Sequence, residues 1–197
     1  MIMKKKEEIL RNAYVSGTGI AYSYWNPDIE TGLFADANQE VAVKGDIDFE
    51  VLDIENVDFG DPNNEDIESQ PYIIIAQRLD IESVKREARK NRLSDQDIKT
   101  DKNEEYNAGD RGDEEPNDSK RTTVLTKFYK EWDKDDKGYR VMAVRVTEKA
   151  YVRKPWCLGI KHYPFAKFCW ERRRSSAYGD SEITYLIPNQ IAINRAL

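Results

Sequence analysis

The last twenty-one residues, 177–197 (AYGDSEITYLIPNQIAINRAL), constrain this chain more than any other stretch. They read as a capped helix that is still running at its final residue, with no Gly, Asn or Lys-rich ending. Ile183, Leu186, Ile187, Ile191 and Ile193 fall on one side of its wheel, with Gln190 and Asn194 in the middle of the same stripe. An amide set inside an apolar seam fixes register and partner number at some cost in stability. Pro188 lies within the pattern and is expected to kink the helix or split it, because it removes a donor and clashes one turn back. A helix of this kind, cut in mid-course, is expected to belong to a larger assembly.

The upstream pattern reads as α+β. A short helix over 3–15, with Ile9, Leu10 and Ala13 as its apolar face, breaks at Ser16-Gly-Thr-Gly19, and 19–26 alternates as a strand. Asn26-Pro27-Asp28 signals a turn. Segments 40–43 and 47–54 form an expected hairpin around Lys44-Gly45-Asp46. Strand 72–79 follows, and Asp80 caps a helix from Ile81 to about Leu93 that carries a Glu82–Arg86 pair. Strands 122–132 and 139–147, joined by the polar turn 133–138, make the clearest hairpin. Strands are also expected at 150–153 and, more weakly, at 163–170.

Charge divides the chain. Overall it has 37 acids and 31 bases, a net of −6. Residues 94–120 hold ten of those acids and four of the bases, which leaves 27 of each elsewhere. The acidity marks one segment, read here as a solvated mobile loop between two lobes because it offers little apolar surface to offset ordering entropy. Two cysteines do not make a disulfide framework, and a reducing compartment is the default. The charged N-terminal dozen lacks the apolar centre of a signal peptide, and no apolar run is long enough to span a membrane.

Several catalytic or metal patterns are declined. Asp133-Lys-Asp-Asp-Lys-Gly138 starts like a calcium loop, but Val144 stands where a bidentate Glu is needed. Cys157, His162 and Cys169 match no paired zinc knuckle. The Gly17 and Gly19 turn runs from helix to strand, the reverse of a phosphate cradle. His162, the only histidine, has no recognisable nucleophile motif beside it. Arg111-Gly-Asp113 is read as chance in the acidic segment. Arg172, Arg173 and Arg174, flanked by Phe168, Trp170 and Tyr178, are candidates for DNA or partner contact, or for a solvated turn paired with nearby acids.

Tyr178-Gly179-x-Ser181, then Leu186-Ile187-Pro188-Asn189-Gln190 and Ile193-Asn194, resembles the segment that opens the second stem helix of tailed-bacteriophage portal proteins. Gly17-x-Gly19 with Tyr22-x-Tyr24-Trp25 is similar to the helix-to-strand entry of the portal wing. Gly45-Asp46-Ile47, Asn56-Val57 and Asp61-Pro62 resemble the wing hairpin, and strand 72–79 before Val84 and Lys85 resembles the approach to the first stem helix. The resemblance divides the chain into a wing-like part (1–80), a first stem-like helix (81–93), the acidic loop (94–120), a clip-like β region (121–176) and the start of a second stem helix (177–197).

The family implies a ring, usually of twelve subunits, at one capsid vertex. Double-stranded DNA passes non-specifically through its channel during packaging and ejection. The ring docks the terminase large subunit and later the head-completion or adaptor proteins. It has no catalytic role, cofactor, metal or membrane partner, since ATP hydrolysis belongs to the terminase. Location in the virion, with assembly in the host bacterial cytoplasm, follows. Portal subunits extend beyond this region at both ends, so the chain is expected to be part of one. The stripe Ile183, Leu186, Ile187, Gln190, Ile191 and Asn194 would then form the interface between subunits. Two other readings stay open: an unrelated module holding a protein or glycan through Trp132, Trp156 and Trp170, and a metal enzyme centred on Cys157, His162 and Cys169.

Overall fold

The computed structural model describes residues 2–34, 42–101, 120–134 and 137–196. Its elements run α1 (Ile2–Ser16), β1 (Thr18–Phe34), β2 (Ala42–Leu52), β3 (Val57–Phe59), β4 (Tyr72–Asp80), α2 (Ile81–Lys90), β5 (Arg121–Asp133), β6 (Gly138–Val146), β7 (Tyr151–Cys157), β8 (Phe165–Cys169) and α3 (Glu182–Ala196). The fold is α+β, with every strand pair antiparallel. Two compact units interleave along the chain: 1–55, 61–70 and 163–197 in the first, 56–60 and 71–162 in the second. Two lobes separated by the acidic segment are therefore not what forms. That segment is flanked on both sides by the second unit, because β4 pairs with β5 across it.

The first unit packs α1 against a sheet of order β2-β1-β8. Ala13, Ile20, Leu52, Ile54 and Ala177 are buried in it, whereas Leu10 turns outward at 49% exposure. Gly19 lets α1 approach, since a Cβ there would lie 2.5 Å from the Ile9 carbonyl oxygen. Two expected turns are strand instead. Strand β1 continues through Pro27 with a register shift between Asn26 and Glu30, and Asn26 Oδ1 accepts the Asp28 amide at 3.0 Å. The Asn-Pro-Asp signal is absorbed by an irregularity that tolerates proline. Strand β2 likewise runs through Lys44-Gly45-Asp46 and pairs with β1, not with itself. Gly45, at φ +100°, lies under the Trp25 ring, where a Cβ would meet Cζ2 at 2.4 Å.

The connection over 61–70 is organised by one buried amide. Gln70 Nε2 donates to the carbonyls of Asp61 and Asn64 at 2.9 and 2.8 Å, and its Oε1 accepts the Asp61 amide at 2.8 Å. Its donors and acceptor do the work of missing backbone partners, which makes its burial affordable.

The second unit is a sheet of order β3-β4-β5-β6-β7 carrying α2. Val124, Thr126 and Phe128 point inward from β5, as their alternation requires. Asp80 caps α2, its carboxylate accepting the Ser83 amide at 3.0 Å. Glu82 pairs with Lys85 at 3.8 Å, in contrast to the expected partner Arg86. Helix α2 ends three residues before Leu93, at a Schellman turn. The Leu93 amide reaches the Ala88 carbonyl and the Arg92 amide reaches Arg89, both at 3.0 Å, with Arg92 in the left-handed region at φ 58°.

Val84 and Ala88 pack with Ile81, Val124, Val152 and Ile98. Ile98 is 2% exposed, so the start of the acidic segment is pinned to the core at this residue while most of its neighbours over 94–100 stay exposed, in contrast to the fully solvated loop expected from residue 94. Residues 102–119, the rest of that segment but for Lys120, lie outside the described residues. Pro155 sits within β7, an outer strand, where its missing amide costs no ladder bond.

Candidate functional site

Helix α3 and the loop before it are held to the first unit by a crossing of two glycines far apart in sequence. A Cβ on Gly17 would lie 2.2 Å from the Gly179 oxygen, and one on Gly179 would lie 2.5 Å from the Gly17 oxygen. Gly17 also has φ +81°. Thr18, fully buried, accepts the Gly179 amide on Oγ1 at 2.8 Å, and the Trp170 amide donates to the Gly17 carbonyl at 3.0 Å. Ser16-Gly-Thr-Gly19 is thus a packing turn.

Around this crossing Glu171 and Asp180 form an antiparallel bridge. Trp170 Nε1 donates to Glu182 Oε2 at 3.0 Å, and its ring meets Tyr14 edge-on at 5.1 Å. The Glu171 carboxylate takes the Tyr185 hydroxyl and raises its pKa. Lys167 Nζ donates to the carbonyls of Glu65 and Ala177 at 2.6 and 2.9 Å, and burial lowers its pKa. Ser181 caps α3 by accepting the Thr184 amide at 3.2 Å.

Beyond that cap the helix has little cover. It continues through Pro188 as one element, which answers whether proline splits it. Ile183 is half-buried, while Leu186 and Ile187 are each 51% exposed, and Tyr185, Ile191 and Ile193 are also exposed. Tyr185 lies on the far side of the wheel from Ile187, so the apolar surface extends beyond one stripe. Gln190 Nε2 donates to Asn194 Oδ1 at 2.9 Å, so the two amides are exposed and satisfy each other along one turn.

Arg172, Arg173 and Arg174 are all exposed in the loop before α3. Arg173 Nη1 lies 3.7 Å from Asp180 Oδ1, as the paired-turn reading expects for one of the three. Cys157 is exposed and its Sγ accepts the Gly159 amide, while Cys169 is half-buried in β8. Among the described residues no group of three or more His, Cys, Asp or Glu has the geometry to hold a metal ion. The Asp133 carboxylate is engaged by Arg140 Nη1 at 2.7 Å, which explains the calcium-loop mimic as a hairpin end. Trp132 pairs edge-on with Tyr139 at the same end, and the Arg153 guanidinium stacks on Trp156. No helix among the described residues is long and apolar enough to cross a membrane.

Sequence reasoning missed the roles of Gly179, Lys167 and Gln70. Gly179 and Lys167 act on backbone contributed by a distant segment, and Gln70 acts on the backbone of the connection it closes, over 61–70; local pattern announced none of these roles. Compared with protein-family models and with curated proteins, the chain matches neither a family model nor a curated sequence.

Proposed function

We propose that this chain is part of a structural subunit of an oligomer that assembles through α3, and that the oligomer is the portal ring of a tailed bacteriophage. In that role it lines a conduit for double-stranded DNA at the capsid vertex of the virion. It docks the terminase large subunit and the head-completion proteins, and performs no chemistry itself. The observation that carries the assembly reading is the apolar exposure of α3: a helix apolar on more than one side is at home only when buried by neighbours. A ring supplies two different neighbouring surfaces, as a heterologous interface requires.

The portal form rests on the order of the sequence motifs, and two of them, Gly17-x-Gly19 and Tyr178-Gly179, meet in space. One departure bears on the mapping. The strand read as wing, β4, is bonded to the hairpin read as clip, and within the segment read as first stem helix (81–93) the helix is ten residues long and lies on their shared sheet.

Mass photometry and negative-stain microscopy test the proposal on the chain, alone and extended by its flanking reading frame. Rings of uniform size in the extended form are expected. Monomers and dimers alone, over a wide range of concentration and salt, sink it. The binding-module reading keeps one specific support, the exposed Trp132–Tyr139 pair at a hairpin end, and it predicts a monomer whose tryptophan emission shifts on binding a protein or glycan.

A further inference from the structure

Strand β2 is an outer strand of its sheet. Such a strand presents backbone groups that can pair with another chain. Here side chains occupy three of them, around Ile47 and Phe49. The Ile47 amide donates to Asp46 Oδ1 at 2.7 Å, and the Phe49 amide donates to Asp48 Oδ1 at 2.8 Å. The Phe49 carbonyl accepts from Lys5 Nζ, which also holds Asp48 Oδ1 at 2.7 Å. In an antiparallel pair a residue's amide and carbonyl point to the same side, so Phe49, and by alternation Ile47, face away from β1. Ile47 is 69% exposed between the two aspartates.

We propose that the Ile47–Phe49 edge is a strand-addition surface for β2 of a second copy of this chain, held closed by Asp46, Asp48 and Lys5. The occupant follows from the strand's own sequence. Antiparallel pairing centred on Ile47 sets Lys44 opposite Glu50, Val43 opposite Val51 and Gly45 opposite Phe49, each of them twice. Opposite charges and apolar residues facing each other favour that register. The same register sets Asp46 opposite Asp48, and like charges directly opposite oppose pairing. The aspartates therefore act in two ways: they occupy the outward donors and they repel the matching strand. This contact is isologous and closes at two copies, so it stands independently of the ring.

The test uses the full chain carrying Asp46→Val and Asp48→Val, followed by sedimentation velocity. Self-association about tenfold tighter than in the unmodified chain is expected, with slowed hydrogen exchange at the Ile47 and Phe49 amides. Adding Ile47→Pro removes an outward donor and spares the β1–β2 ladder, so it should restore the original behaviour. Association that survives Ile47→Pro, or no gain in association without it, overturns the proposal. Should the double variant not fold, Asp46→Val alone keeps the Lys5–Asp48 pair. It should then shift the same equilibrium about threefold, and no shift counts equally against the proposal.

Discussion

Gly17 and Gly179 cross backbone to backbone, each occupying the space that a side chain on the other would need. Gly179→Ala is expected to destabilise the chain by about 2–4 kcal/mol, through a contact only a backbone shift can relieve. Urea unfolding measures this. A loss within about 0.5 kcal/mol would show that the α3 loop is not anchored here.

Arg92 closes the Schellman turn after α2 with a left-handed backbone that suits glycine. Arg92→Gly should stabilise the second unit by about 0.5–1 kcal/mol, because the Cβ penalty exceeds the added unfolded-state entropy. A lowered thermal midpoint contradicts this account.

Ile98 separates two views of the acidic segment. As a core residue packed with Val84 and Val152, it should cost about 2–4 kcal/mol when replaced by Ala. A solvated position would cost almost nothing, and a denaturant melt distinguishes the two.

The Arg89 side chain bonds Asp95, and the Lys5 side chain bonds Asp48, so both carboxyls titrate below the usual carboxylate range. Their folded pKa values lie below the unfolded ones. The stabilisation is complete above the unfolded value and disappears as pH falls through the folded one. The urea midpoint should therefore hold near neutrality and drop below about pH 4, with a shallower drop in Asp95→Asn. An unchanged acid slope in that variant removes Asp95 from the account.

The α3 surface gives the sharpest check on assembly. Leu186→Glu with Ile191→Glu should leave monomer stability within about 0.5 kcal/mol, since both positions are about half exposed. It should also abolish any oligomer seen by mass photometry. Rings that persist in the double variant, or a large loss of monomer stability, place the interface elsewhere.

Much of the local structure was legible. Alternation placed β4, β5 and β6, Asp80 announced the start of α2, and the final helix was visible from its apolar spacing. The misreadings share a cause. Asn26-Pro27-Asp28 and Lys44-Gly45-Asp46 are turn signals only while their flanks have no better partner. Here β1 and β2 supply one another with partners on both sides of each signal. Ile98 looked solvated because its neighbours are acidic, yet one isoleucine at the right place is enough to pin a segment to a core.

What the sequence determined by itself was the α+β class and the apolar character of α3, because period and composition act over a few residues. What only the tertiary structure decided was the meeting of Gly17 with Gly179, the hold of Lys167 on the Glu65 carbonyl, and the closing of the β2 edge by Lys5. Those depend on which distant backbone atoms come within bonding distance. Chain closure sets that, and no local window contains it.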